Sequence, residues 1–374
     1  MSAEKQTDTI IGIHLCDDGF YAAFYRNGMN EAEIIPDPDT GDKKWPSVCF
    51  GEENFDGDIF STGMQNSLDK IFHIMQDHEI SHITFSAGSM SEKRVKEILS
   101  VLSALKTNKA TYNLQEDNES FYDFVVFQNS ELWKNEVVFF EERDKKLYAR
   151  SLVNAVYPHE KALSVKTRDF PMFDFGNEDE YTDEAFVKLL EIFFEKRLIT
   201  SVFLQGDTFS KSWMKKTIKF LCRGRRVFGV EDLIVKGACY RALRKPISEQ
   251  KTKYYMGTHQ LGYHLSMAVS NEDRHEICRL VRAGLNWYDA DFAWDFMVND
   301  IDELHFETDP AWNGVQRYID VDISWIPHRL KFATKIEVKV HFEGKNKWYI
   351  KVTDLGLGEL YPSEYKDTTV YFGE

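Results

Sequence analysis

The chain lacks paired cysteines, an excess of basic charge, long apolar runs and repeats, and each absence closes off a class of protein. Its five cysteines, Cys16, Cys49, Cys222, Cys239 and Cys278, are odd in number and scattered, with no C-x-x-C pair. That usage fits reduced thiols in a cytosolic protein, not a disulfide framework. Asp and Glu number 61 against 46 Lys and Arg, a formal net charge of -15. Such a chain repels phosphate backbones and anionic lipid, so neither nucleic acid nor membrane is an expected partner. One basic cluster stands against this: Lys215, Lys216, Lys219, Arg223, Arg225 and Arg226. The first apolar run, Ile10 to Leu15, is too short for a signal peptide or a membrane span. No later run reaches the ~20 residues that a span needs, so the sequence predicts a cytoplasmic protein. Neither an internal repeat nor a low-complexity tract is visible.

Hydrophobic residues make up 43% of the 374 and aromatics 14%, enough for packed cores and too many for wholesale disorder. Ile10–Leu15 and Tyr21–Tyr25 read as strands around the turn Asp17-Asp18-Gly19. Lys44 to Phe50 reads as extended, because Trp45 precedes a proline. Met64–Gln76 carries a helical stripe, and His82–Phe85 reads as a strand. Val95, Ile98, Leu99, Leu102 and Leu105 mark one face of a further helix. Strands are predicted at 123–127, 137–140 and 147–153, the last two around a tip at 144–146. An acidic loop then leads to a helix with Thr182 as N-cap and Asp183 in its first turn. Strand 201–204, a helix bearing Trp213 and Phe220, and a helix over about 231–243 complete this part. Ile247–Tyr254 reads as a linker. Beyond it short alternating strands dominate, clearest where Ile336, Val338, Val340 and Phe342 turn at Glu343–Asn346 into Trp348, Ile350 and Val352. The expected architecture is α/β over 5–245, in lobes of about 5–120 and 121–245, then an all-β domain over 255–374.

The order of these segments resembles that of the DnaK-type heat-shock chaperones of the actin-like ATPase superfamily. Ile11-Gly-Ile-His-Leu-Cys-Asp-Asp-Gly19 with Tyr21–Phe24 is similar to the family's opening strand–turn–strand. Pro46-Ser-Val48, Ile83–Ala87, Gln115–Tyr122, Ser201–Thr208 and Val235–Cys239 resemble its later motifs in collinear order. So do Leu261–Leu265, Ile326–Leu330, Ile336–Phe342 and Trp348–Gly358 in the β part. The layout is similar to a shortened, chaperone-like group of bacterial proteins. The resemblance implies an actin-like (ribonuclease H-like) ATPase fold with reduced outer subdomains, followed by a β-sandwich like the chaperone substrate-binding domain.

In that family two glycine- and threonine-rich hairpin turns cradle the phosphates with backbone N–H groups, and an aspartate in each positions Mg²⁺ and water. By resemblance, the degenerate nucleotide cleft here comprises Gly12, Asp17, Asp18, Glu141, Gln205, Gly206, Asp207 and Thr208. His14 takes the first aspartate's place. The second turn reads Glu141-Glu-Arg-Asp-Lys-Lys146 without a glycine. Asp17 or Asp18 at ~4 Å from a phosphate is repulsive by roughly 4 kcal/mol at an effective dielectric of 20. The catalytic lysine and the subdomain that clamps adenine have no equivalent, since only a short acidic loop separates strand 147–153 from the helix at Thr182.

Other arrangements have bland readings beside sharp ones. The Gln205-Gly206-Asp207-Thr208 loop is either a retained adenosine-type site or a plain strand-to-helix turn. Asp17 and Asp18 are a cation site or a turn. His78 and His82 share helical spacing but lack a third zinc ligand. The arginine cluster either binds an anion or offsets a helix C-terminus. Cys239 sits in a helix as a small apolar residue. The C-terminal aromatics Trp287, Tyr288, Trp294, Phe296, Trp312 and Trp325 are mostly core, with some available for contact. The β part's first loop, Val269–Glu276, is charged, and the linker is polar, so peptide clamping and nucleotide-coupled docking in the family's manner are not expected. The sequence predicts a non-catalytic, cytosolic pseudo-chaperone that binds protein partners, with no cofactor and no metal. The alternatives are an ATP- or ADP-binding protein with slow, unconventional turnover and an actin-like self-assembling protein.

Overall fold

The structure, a computed structural model, describes residues 8–46, 55–75, 78–106, 109–143, 145–156, 161–175, 180–210, 212–244, 254–271, 274–299, 301–311, 315–331, 333–363 and 366–373. It separates into two compact units, Met1–Asn154 with Leu163–Lys245, and Ala155–Ala162 with Pro246–Glu374. The predicted linker falls almost wholly outside the described residues, as do Cys49 and Trp312.

The first unit is mixed α/β. Its first sheet holds β1 (Thr9–Cys16), β2 (Gly19–Arg26), β3 (Glu33–Ile35) and β4 (Lys44–Pro46). Helix α1 (Gly57–Ile74) leads to β5 (Ile80–Ala87), and α2 (Glu92–Ala104) to β6 (Thr111–Glu116), which runs into α3 (Asp117–Phe127). The second sheet is built from β7 (Glu136–Arg143), β8 (Lys146–Val156) and β9 (Lys161–Asp174), then α4 (Glu180–Phe193), β10 (Ile199–Gln205), α5 (Lys215–Leu221), β11 (Arg226–Gly229) and α6 (Leu233–Tyr240).

Both sheets follow one plan. In the first, β1 and β2 form an antiparallel hairpin, β5 lies parallel to β1, and β6 lies parallel to β5. In the second, β7 and β8 form the hairpin, β10 lies parallel to β7, and β11 lies parallel to β10. A helix follows the last strand each time, α3 in one half and α6 in the other. The unit is therefore a structural duplication, although no repeat is legible in its sequence. What repeats is strand pairing, and pairing can persist while side chains change.

Local chemistry accounts for the helices. The Asp56 carboxylate caps α1 by accepting from the backbone N–H groups of Asp58 and Ile59, and Phe60, Met64, Leu68 and Ile71 form its buried stripe. Ser91 caps α2 in the same way. Three expectations are corrected. Residues 123–127 are helix, not strand. They belong to α3, which is buried almost all round, so its Phe-Val-Val-Phe run carries no 3.6-residue signal. The helix after the acidic loop begins at Glu180, so Thr182 is not its cap. Instead the Asp183 carboxylate accepts from the N–H groups of Lys216 and Thr217, at 2.7 and 2.8 Å, and caps α5. Between β8 and α4 lies the 14-residue strand β9 as well as the acidic stretch. Its charges and Pro171 hide the alternation.

Two glycines set the seam between the halves. A Cβ on Gly237 of α6 would lie 2.0 Å from the Ser120 carbonyl oxygen of α3, and one on Gly12 of β1 would lie 2.5 Å from that of Val235. The backbones approach as closely as glycine permits.

The second unit holds β12 (Tyr254–Tyr255), β13 (Tyr263–Asn271), β14 (Arg274–Val281), β15 (Phe292–Val298), β16 (Glu303–Pro310), β17 (Arg317–Asp322), β18 (Thr334–Phe342), β19 (Trp348–Asp354) and β20 (Asp367–Phe372). Strands β13 to β20 make two four-stranded sheets, in the orders β14-β13-β16-β17 and β15-β18-β19-β20. The alternating hairpin read from sequence is β18–β19, with Val340 opposite Ile350 and Phe342 opposite Trp348. Ile336, Val338, Val340, Ile350 and Val352 are all fully buried. Trp287 is core, whereas Trp294 is 60% exposed on an end strand. A buried, two-pronged ion pair from Arg329 to Asp354, at 2.8 and 2.7 Å, secures the end of β19.

Candidate functional site

The candidate site lies in the first unit where the turn β1–β2, the ends of β7 and β8 and the first turn of α3 meet. Asp17 and Asp18 form the exposed first tip, and Asp18 is ion-paired to Lys44. That bond holds the Asp18 carboxyl below its ordinary range. Cys16 precedes the tip. Burial and the nearby Asp117 push its thiol up to about 12, outweighing Lys44 and Arg143, so it is no nucleophile at neutral pH.

Behind the tips the protein's own charges are matched. Arg150 of β8 donates to Glu141 of β7 at 2.7 Å and to the Asn118 side chain at 3.2 Å, and stands 3.9 Å from Asp117. Arg143 adds a second, longer contact to Glu141 at 3.4 Å. His14 Nε2 lies 3.2 Å from Asp117 Oδ2, and the Ser86 hydroxyl donates to Oδ1 at 2.9 Å. Ser120 donates to Ser86, and Gln115 donates to Ser120, each at 2.7 Å. Burial alone would push the Asp117 carboxyl up. His14, Arg150 and Ser86 reverse this and hold it at about 2, so it is ionised and His14 Nε2 donates to it. The place of Asp117 in the first turn of α3 favours the same charge.

The residues picked from the sequence separate into groups. Glu141 and Gln205 are register partners on β7 and β10. Gly206, at φ 133°, passes so close to β7 that a Cβ there would sit 2.8 Å from the Glu142 Cβ. Gln205 turns its side chain to α6, accepting from the Leu233 N–H at 3.0 Å. Gln205, Gly206 and Asp207 line an open pocket of about 630 Å³. Thr208 is buried, and its carbonyl accepts from the Trp213 indole. Gly12 lies beneath α6 and lines no part of that pocket, so its placement is a packing one. The arginine cluster serves a helix end: Arg225 donates to the carbonyls of Leu221 and Phe220. His82 lies on β5 and pairs with Ser81.

Sequence reading missed Arg150, Asp117, Arg244 and one exposed trio. Arg244 joins Glu119 and Asp123, both buried on α3, at 2.6–2.8 Å. In the second unit Glu303, His305 and Asp320 place one potential metal-ligand atom each within 4.8 Å of one another, all exposed. The β16–β17 register puts His305 opposite Asp320, which no spacing along the chain announces.

The C-terminal model of a family of unknown function, DUF5716, matches residues 43–258, more than half of the chain. The chain belongs to this DUF5716 family. A second model, a domain of unknown function called DUF8552, matches residues 260–372. No curated protein matches in sequence. Among solved structures, the DUF5716 chain is similar to a ROK family transcriptional regulator, a homolog of the E. coli MLC protein. There the TM-score is 0.40 at 9% identity, covering 63% of this chain and 78% of that one. No helix among the described residues is long and apolar enough to cross a membrane.

Proposed function

We propose that this protein is a non-catalytic member of the actin-like superfamily that works by binding other proteins. The duplicated plan, a hairpin followed by two parallel strands and a helix in each half, supports the actin-like reading. The two-sheet second unit supports a chaperone-like β-sandwich. One observation carries the loss of catalysis: Arg150 of the second hairpin is bound to Glu141 and close to Asp117, so the charges beside that hairpin are matched by the protein itself. A triphosphate would have to draw Arg150 away from Glu141, leaving that buried carboxylate only its longer contact to the more exposed Arg143. The stretch 141–146 has no glycine, its Lys145 N–H is already bound by Glu142, and Lys44 is paired to Asp18, all of which weaken the two turns as a phosphate cradle. The protein is thus a scaffold or pseudo-chaperone whose cleft holds its own side chains in place of nucleotide.

The test is titration of the full chain with fluorescently labelled ATP and Mg²⁺. The expected result is no saturable binding, and micromolar affinity overturns the reading. Arg150→Ala with Glu141→Ala, which clears the network, is the control for a cleft able to report binding.

A further inference from the structure

The pocket beside Gln205 and Gly206 differs in kind from the self-neutralised cleft. Leu204, Phe209, Ile218 and Val230 give it an apolar floor, and at about 630 Å³ it has the size of a small-molecule site. Ile218 is 40% exposed, so part of that floor is open to solvent. Among the described residues that line it, the acidic side chains Asp207, Glu231 and Asp232 outnumber the one cation, Lys43. The N-terminus of α6 supplies only about half a positive charge. Its Leu233 N–H is already bound by Gln205. The one cation on the rim is engaged too: the Lys43 ammonium is bound to Glu231 and lies 3.5 Å from Asp232. The protein places its own amine where an incoming one would sit.

We propose that this pocket binds an organic cation, an amine or guanidinium on an apolar body. The charge takes the Glu231–Asp232 edge in exchange for Lys43, and the body covers the floor. An anionic ligand of the same size meets the Glu231–Asp232 edge and is rejected. The proposal does not rest on the closed cleft and stands whether or not Mg·ATP binds there.

Isothermal titration of the full chain with three indoles of similar size tests it: tryptamine, tryptophol and indole-3-propionate. Tryptamine is expected to bind at least about tenfold more tightly than indole-3-propionate, a difference that one partly solvated ion pair can supply. Glu231→Gln with Asp232→Asn should collapse that preference to about threefold or less. Lys43→Ala should tighten tryptamine by removing the resident competitor. Glu231 and Lys43 are exposed, and asparagine tolerates the left-handed backbone of Asp232 at φ 57°, so these variants should fold. Far-UV circular dichroism checks that they do. Absence of saturable binding by tryptamine, equal or tighter binding of indole-3-propionate, or a preference unchanged in the double variant overturns the proposal. So does displacement of tryptamine by adenosine at lower concentration than tryptamine itself requires, which would mark a nucleoside site.

Discussion

The two sides of α3 hold buried carboxylates under opposite conditions. Asp117, in the first turn, has His14, Arg150 and Ser86 around it and a helix N-terminus behind it, and its carboxyl is held at about 2. Asp123, further along, shares Arg244 with Glu119, which lies one turn away on the same face. Burial pushes Asp123 up, Arg244 and Arg241 pull it down, and Glu119 pushes it up again, leaving it at about 6. Burial is nearly equal at the two sites, so the ratio of partners to carboxylates decides the sign. At Asp123, Arg244 and Arg241 together do not outweigh burial and the neighbouring Glu119.

Removing a partner should break this comparison with the largest effect. Arg244→Ala leaves Glu119 and Asp123 buried without their shared cation and should cost about 3–5 kcal/mol in urea unfolding at pH 7. If the loss is below about 1 kcal/mol, the carboxylates have found water or other partners. Next come the pH profiles. The raised Asp123 binds its proton more tightly folded than unfolded, so stability should rise as pH falls from about 6 to about 4, by about 2–3 kcal/mol. Asp123→Asn should abolish that rise, and an unchanged profile would assign the proton elsewhere. The lowered Asp117 has the opposite sign. Its contribution is present above about pH 4 and is lost as pH falls towards 2, and Asp117→Asn should remove about 2 kcal/mol at pH 7 and flatten the acid limb. The smallest effect belongs to the exposed Asp18–Lys44 pair: Lys44→Ala should change stability by less than about 1 kcal/mol.

These differences were only partly legible in the residues. The β18–β19 hairpin was, because alternation in Ile336–Phe342 and Trp348–Val352 fixes both register and buried face. The Asp17–Asp18 turn was also readable from local chemistry. Helix α3 was not. Its residues are buried on nearly every side, and a run of Phe and Val reads as strand when no exposed face interrupts it. The candidate site was half visible. Glu141 and the absence of glycine from 141–146 could be named from the sequence, but Arg150 could not. Its role arises because β8 turns back along β7 and brings it to Glu141 and to α3.

The sequence by itself determined the scattered cysteines, the acidic balance, the change from α/β to β near residue 250 and the absence of glycine from 141–146. Those properties depend on composition and on neighbours a few positions apart. Only the tertiary structure decided the duplicated sheets, the glycine seam between α3 and α6, and which acid meets which base. Asp117 with His14, and Arg244 with Asp123, are each separated by more than a hundred residues. Electrostatic energy depends on distance through space, and that distance exists only once the chain has folded.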